Sequence, residues 1–310
     1  MQIWILLAVI GQLFNSVVAL IDKFVVTSKQ VPRPSLYVFY TGILVIFSLS
    51  LYVLDLLVGN WIQGIPSFSN VNVPDFYVAI HAILSAGFML SGLYFLFKSL
   101  VKADASDVFP VVGSISAFFV LLFSYFAFGQ VLKPTFFFGF ILLISGTLFV
   151  SHFRFHKNTF YLTMAAALLL ALHSFSLKRL FLDAGFDDGF FWFSTSAILI
   201  SLCMLFSKSI RKSLFSHRKS TNVKKTDKLI IVGKILAGIG GLLITKAIDL
   251  GDVAVVQSLA GLQYFFLFLF AIFLGKKTHR DLGENVGKKD IIQKTISMLF
   301  ILLGFVLLFI

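Results

Sequence analysis

Apolar stretches of about 20 residues, the length that crosses a bilayer as a helix, recur from one end of this 310-residue chain to the other. Ten can be read, over residues 2–22, 35–57, 76–98, 106–128, 134–152, 159–178, 188–207, 229–249, 252–274 and 291–310. Short links join several of them. "GQVLKP" connects the fourth to the fifth and "DLGD" the eighth to the ninth, so consecutive segments are expected to pack as antiparallel neighbours. Hydrophobic residues make up 58% of the chain and charged residues 13%, against about 45–50% and about 25% in soluble domains. A soluble globule has too much surface to keep this much Phe, Leu and Ile dry. The expected fold class is therefore an all-α membrane protein with ten transmembrane helices. The start, "MQIWILLAVIGQLF", lacks a basic n-region and a small-residue cleavage site, so it reads as a retained helix.

The net charge of +12 first suggests nucleic acid, but the distribution of the basic residues points elsewhere. Lys23, Lys29, Arg33, Lys98, Lys102, Arg154, Lys157 and the basic stretches 208–228 and 275–290 follow the odd-numbered segments. The opposite side has Lys133, Lys178, Arg179 and little else. The positive-inside rule then places the odd loops, including both long basic stretches, in the cytoplasm and both termini outside. The expected location is a multi-pass protein of the cell membrane, with lipid as its surroundings and no nucleic-acid partner. The two long stretches read as solvated tethers, and nothing in the sequence specifies an oligomer.

The chain also repeats itself. "DVFPVVGSISAFFVLLFSYFAFGQ" (107–130) is similar to "DVAVVQSLAGLQYFFLFLFAIFLGK" (252–276), "LYVFYTGILVI" (36–46) to "FFWFSTSAILI" (190–200), and "NSVVALIDKF" to "HSFSLKRLF". Three ordered matches at nearly one offset divide the chain into 1–152 and 153–310, with five segments in each. Five is odd, so the second unit is expected upside down relative to the first, and inverted repeats are typical of secondary transporters. The run "KADASDVFPVVGSISAFFVLLFSYFAFGQ" resembles the signature block of the drug/metabolite transporter superfamily, EamA type, and "GDVAVVQSLAGLQYFFLFLFAIFLGK" resembles the same block in the second half. The resemblance covers essentially the whole chain. It implies two inverted five-helix bundles around a central cavity, with the fifth and tenth helices at the periphery. The Glu that usually closes each block is Gln130 and Lys276 here, and Pro110 has no partner in the second block.

Polar groups inside hydrocarbon are costly and are functional candidates by default. In the first segment Gln12, Asn15, Ser16, Asp22 and Lys23 form one stripe. It reads as a cavity wall or as a hydrogen-bonding seam between helices, with Asp22 and Lys23 as a gate or coupling pair, or as an interface end. His173, Ser174 and Lys178 repeat the pattern in the sixth segment, and pseudo-symmetry would set the two stripes across a cavity. His81 and Tyr94 in the third segment and Lys234 in the eighth are further cavity candidates, and Lys98 and Lys246 join Asp22 and Lys23 as gate or coupling candidates. Gln257, Gln263 and Tyr264 mark the ninth, where amides and an aromatic ring suit an apolar pocket with a few placed polar groups. Gly233, Ala237 and Gly241 read as a small-residue packing seam.

Several chemistries find no support. Glu284 is the sole Glu and lies in a polar loop, so no membrane Glu is present to couple protons. Without a P-loop, ATP does not drive transport. Cys203 stands alone, so no disulfide within the chain forms, and no metal-ligand spacing, cofactor motif or catalytic triad occurs. The expected function is secondary transport of a small metabolite by alternating access, and not an enzyme activity. More Lys and His than carboxylate leans the substrate toward an anion or zwitterion. The alternative is a membrane scaffold or lipid-handling protein with this fold and no solute flux.

Overall fold

The computed structural model describes residues 3–27, 33–58, 66–103, 105–129, 134–150, 157–217, 223–263, 265–267, 269–270 and 288–307. Among these residues every regular element is helical. They are α1 (Ile3–Thr27), α2 (Pro34–Leu44), α3 (Ile46–Val58), α4 (Phe76–Lys102), α5 (Ala105–Phe128), α6 (Pro134–Val150), α7 (Lys157–Met204), α8 (Lys208–His217), α9 (Val223–Leu250), α10 (Val253–Ser258) and α11 (Lys288–Leu307). Among the described residues, six spans are long and apolar enough to cross a membrane: Ile3–Val26, Pro34–Leu57, Phe76–Lys102, Val108–Ala127, Lys157–Met204 and Lys228–Leu250. They mark the chain as an integral membrane protein.

Local chemistry fixes several helix starts. Pro34 opens α2, where its missing N–H costs nothing. The Asp75 carboxylate accepts from the Val78 N–H at 2.8 Å and caps α4. Asp252 caps α10 through the N–H groups of Ala254 and Val255. Its counterpart in the matched Asp-Val pairs, Asp107, lies inside α5 instead. Two expected helices carry a locally tightened turn. In the span 35–57, α2 and α3 meet at Val45, where the Ser48 N–H donates to the Val45 carbonyl in a three-residue turn. The ninth segment leaves α-geometry after Ser258, where three-residue turns link Leu259 to Leu262 and Ala260 to Gln263.

A straight helix of 48 residues would be about 72 Å long, more than twice the hydrocarbon core of about 30 Å. Gly185, with φ of 76°, breaks α7. Such a φ is open to glycine without strain. The chain turns back on itself there. The rings of His173 and Phe193 stand 5.5 Å apart, where a continuous helix would hold them about 30 Å apart. The segments expected at 159–178 and 188–207 are thus two passes joined by a tight turn, with helix reaching up to it from both sides.

Close packing follows from small residues. A Cβ at Gly240 on α9 would come 2.9 Å from Asn15 Oδ1 and 3.1 Å from the Gly11 carbonyl oxygen on α1. Gly233 faces Ile21 in the same seam. The expected seam through Gly241 is displaced by one residue: a Cβ at Gly241 would meet nothing within 4 Å. The first pass of α7 packs antiparallel on α4, with Gly92 against Leu170 and Thr163 bonded to Ser99. α6 packs on α11 through Gly146, and Gln293 donates to the Phe149 carbonyl. That pair exposes Phe137, Phe138, Leu299 and Leu303 outward.

The first ten residues of the basic stretch 208–228 are no loose tether, because they form α8. Ile210 and Leu214 cover Leu36 and Phe39 of α2, while Lys208, Arg211 and Lys212 point away from that contact and are exposed. Arg33 bonds to Ser209.

Candidate functional site

Three polar clusters lie along the bundle. Near the C-terminal ends of α1 and α4, Lys234 of α9 meets Asp22 of α1 at 3.1 Å, with side chains 4% and 10% exposed. The Tyr37 hydroxyl donates to the same carboxylate oxygen. The Lys234 ammonium also stands 4.1 Å from the centroid of the Tyr37 ring and 5.5 Å from that of Phe97. A charge this deep is tolerated because a carboxylate and two π faces replace its water. Sequence spacing set Asp22 beside Lys23, but the two diverge. Lys23 turns to the end of α4 and donates to the carbonyls of Leu100 and Ala103, each at 2.8 Å. A cation there satisfies orphan carbonyls at the negative end of a helix.

Lys178 does the same at the opposite end of the bundle. It donates to the carbonyls of Ile248, Asp249 and Gly251 at 2.8–2.9 Å and closes α9. Lys178 was visible in the sequence as part of a stripe, but its role depends on where α9 ends.

The second cluster is central. Ser174 of α7 donates to Gln257 Oε1 at 3.3 Å, and Gln257 Nε2 donates to Ser116 of α5 at 3.1 Å. Gln263 Nε2 reaches the Asn15 carbonyl at 3.2 Å. Gln12 is buried and its Oε1 has no hydrogen-bond partner. Ser16 is buried too, but its hydroxyl bonds back to Leu13 of its own helix. Beside this cluster, Gly241 leaves open space on the α9 face that carries the buried Lys234 and Thr245. His173 does not look across a cavity from α1. Its Nδ1 lies 2.9 Å from the Ser85 hydroxyl and 3.0 Å from the Ser85 carbonyl oxygen, inside the contact of α7 with α4. His81 is half-buried, with Nδ1 lacking a partner. The Lys98 ammonium stands 4.4 Å from the Tyr94 ring centroid, one turn back on its own helix. Tyr264 lies outside the described residues.

The third cluster surrounds the Gly185 turn. A pocket of about 310 Å³ opens there, lined by Asn70, Phe186, Asp187, Asp188, Lys246 and Asp249 together with Ala184 and Gly185. Lys246 belongs here, at the far end from Asp22 and Lys234. Its ammonium pairs with Asp249 at 2.9 Å and sits 3.9 Å from the Phe186 ring centroid. Asn70 Nδ2 donates to Asp187 at 2.7 Å, the Tyr52 hydroxyl donates to the Asp187 carbonyl, and Trp192 Nε1 donates to the Asn72 carbonyl at 2.9 Å. These bonds tie the segment before α4 to the turn. Sequence reasoning passed over Tyr37, Ser116 and the Asp187–Asp188 pair. The double acid between two apolar stretches was the available signal.

No family model matches the chain, and no curated protein matches it. Solved structures do. A crystal structure of another protein, 18% identical, superposes with a TM-score of 0.69 over 98% of this chain and 96% of its own. That likeness establishes a shared fold over the whole length.

Proposed function

We infer that this protein is a secondary transporter for a small metabolite, built from two inverted five-helix repeats of the drug/metabolite transporter type. The observation that carries the reading is what the described residues place at the two ends of the bundle. At one end the buried pair Asp22–Lys234 joins α1 to α9, one helix from each half of the chain. At the other end a pocket of about 310 Å³ stands open. Alternating access needs such an asymmetry, one end fastened and the other accessible.

The inverted repeat draws support from the two lysine caps. Lys23 closes α4 and Lys178 closes α9, at opposite ends and with matching partners. In this register Lys178 corresponds to Lys23, three residues away from the pairing of "NSVVALIDKF" with "HSFSLKRLF". The positive-inside rule makes the fastened end cytoplasmic.

The scaffold reading rests on a different observation. Ser174, Gln257 and Ser116 satisfy one another, and His173 is consumed by Ser85. Proteoliposome counterflow separates the two readings. Vesicles are loaded with amino acids, amines, nucleosides, sugars or organic phosphates, and uptake of the labelled solute is followed. Flux that the Lys234→Met variant abolishes supports transport. Absence of flux for every class, in protein that remains folded, refutes it.

A further inference from the structure

The lysines that leaned the sequence toward an anionic substrate are already occupied. Lys234 is held by Asp22, Lys23 and Lys178 by helix carbonyls, and Lys246 by Asp249. The pocket at the Gly185 turn has the opposite balance, three carboxylates against one ammonium. Asp249 is neutralised by Lys246, and Asp187 receives the Asn70 amide. Asp188 is 7% exposed; its carboxylate draws hydrogen bonds from Asn72 and from the Trp192 indole, while its Oδ1 is buried with no partner of its own. A buried carboxylate oxygen without a donor is costly and invites one.

The chemistry of that donor can be narrowed. Among the described residues no group of three His, Cys, Asp or Glu side chains converges as a metal site, so a bare metal ion does not fit. The pocket volume of about 310 Å³ lies at the small end of ligand sites, which run from about 300 to 1,000 Å³. Lys246 itself indicates what the walls recognise. Its ammonium rests against an aromatic face and a carboxylate, the combination that binds alkylammonium ions. It reaches the pocket as a half-buried side chain from α9.

We propose that the pocket at the Gly185 turn binds an organic ammonium group, with Lys246 as a tethered occupant that the ligand displaces. The incoming ammonium takes the Phe186 face and Asp249, and its remaining N–H groups reach toward Asp188. A plain amine and an amino-bearing zwitterion share this chemistry. In the zwitterion the released Lys246 ammonium is free to meet the ligand carboxylate. No bond is made or broken, and the exchange conserves charge at the aromatic face.

The inference deepens the transport reading by naming the charge class of the solute, and it rests on that reading for any solute that is carried. Its test is a binding measurement. The full chain in detergent is titrated calorimetrically with cadaverine, 6-aminohexanoate and hexanoate. Cadaverine is expected to bind and hexanoate is not. Binding of 6-aminohexanoate alongside cadaverine assigns the zwitterion, and cadaverine alone assigns the amine. Lys246→Gln removes the competitor and is expected to tighten cadaverine binding by roughly tenfold, equivalent to about 1.4 kcal/mol. Asp188→Asn is expected to weaken it by at least that factor, while Asp183→Asn, in an exposed pair with Arg179, leaves it unchanged. Failure of both ammonium probes to bind the folded wild-type chain overturns the proposal, as does weaker cadaverine binding in Lys246→Gln. A chain that binds cadaverine but carries no flux in proteoliposomes loses the transport reading alone. A chain that carries another solute and ignores both ammonium probes loses this inference alone.

Discussion

Removing one partner of the Asp22–Lys234 pair leaves a charge stranded among helices. At 3.1 Å, with an effective dielectric constant of about 20, the attraction is about 5 kcal/mol. Loss of one partner from a buried pair costs about 3–5 kcal/mol, whereas removal of both is often close to neutral. Lys234→Met is therefore expected to destabilise the protein by that amount. At about 2 °C per kcal/mol for a large chain, its melting temperature in detergent falls by about 6–10 °C. Asp22→Asn behaves similarly, because Lys234 keeps the Tyr37 ring but loses its counter-charge. The double variant Asp22→Asn with Lys234→Met retains an amide acceptor for the Tyr37 hydroxyl and carries no stranded charge. It is expected to recover most of the loss. The assay is thermal unfolding of the four proteins, read as a double-mutant cycle. A double variant whose loss equals the sum of the two single losses refutes the reasoning, since the residues would then not act as a pair.

Three further outcomes follow from geometry. Gly241→Ala is expected to stabilise α9 by about 0.5–1 kcal/mol, because its Cβ meets open space, while Gly240→Ala is expected to destabilise through its approach to Asn15 and the Gly11 backbone; thermal unfolding in detergent ranks the two. Gly185→Ala is expected to cost about 1–3 kcal/mol from backbone conformation alone, since φ is 76° and ψ is 175° and a Cβ there has nothing within 4 Å; a melting temperature equal to wild type contradicts this. Lys23→Met is expected to speed hydrogen exchange in the last turn of α4, and Lys178→Met in the last turn of α9, each leaving the other helix protected; exchange read by mass spectrometry distinguishes this from general loosening.

Spans were readable from the sequence because twenty apolar residues in a row need no partner to be recognised. The three-residue turns at Val45 and after Ser258 were not, because no Pro marks either position. Asp22 and Lys234 both stood out as charges in apolar segments, but their pairing joins residues 212 positions apart, which no local period encodes. Local spacing favoured Asp22 with Lys23 instead, and the helix end at Ala103 drew the lysine away. The seam on α9 was placed one residue off because glycines at 238, 240 and 241 fit several faces, and only the approach of α1 selects among them. Lys246 was grouped with the gate on its proximity to the Lys234 stripe, although the length of α9 separates the two by about 18 Å.

The packing of α8 has a mechanical consequence. By covering Leu36 and Phe39 and bonding Arg33, it braces the start of α2 to the end of α7. Ser48 and Ser194 tie the same two spans farther along. Likewise α1 is seated on α9, the first pass of α7 on α4, and α6 on α11, so the three most extensive pairings each take one helix from either side of the midpoint of the chain. The bodies that can shift against one another are therefore mixtures of the two halves. A surface of movement between such bodies would cut across the sequence rather than follow the midpoint of the chain.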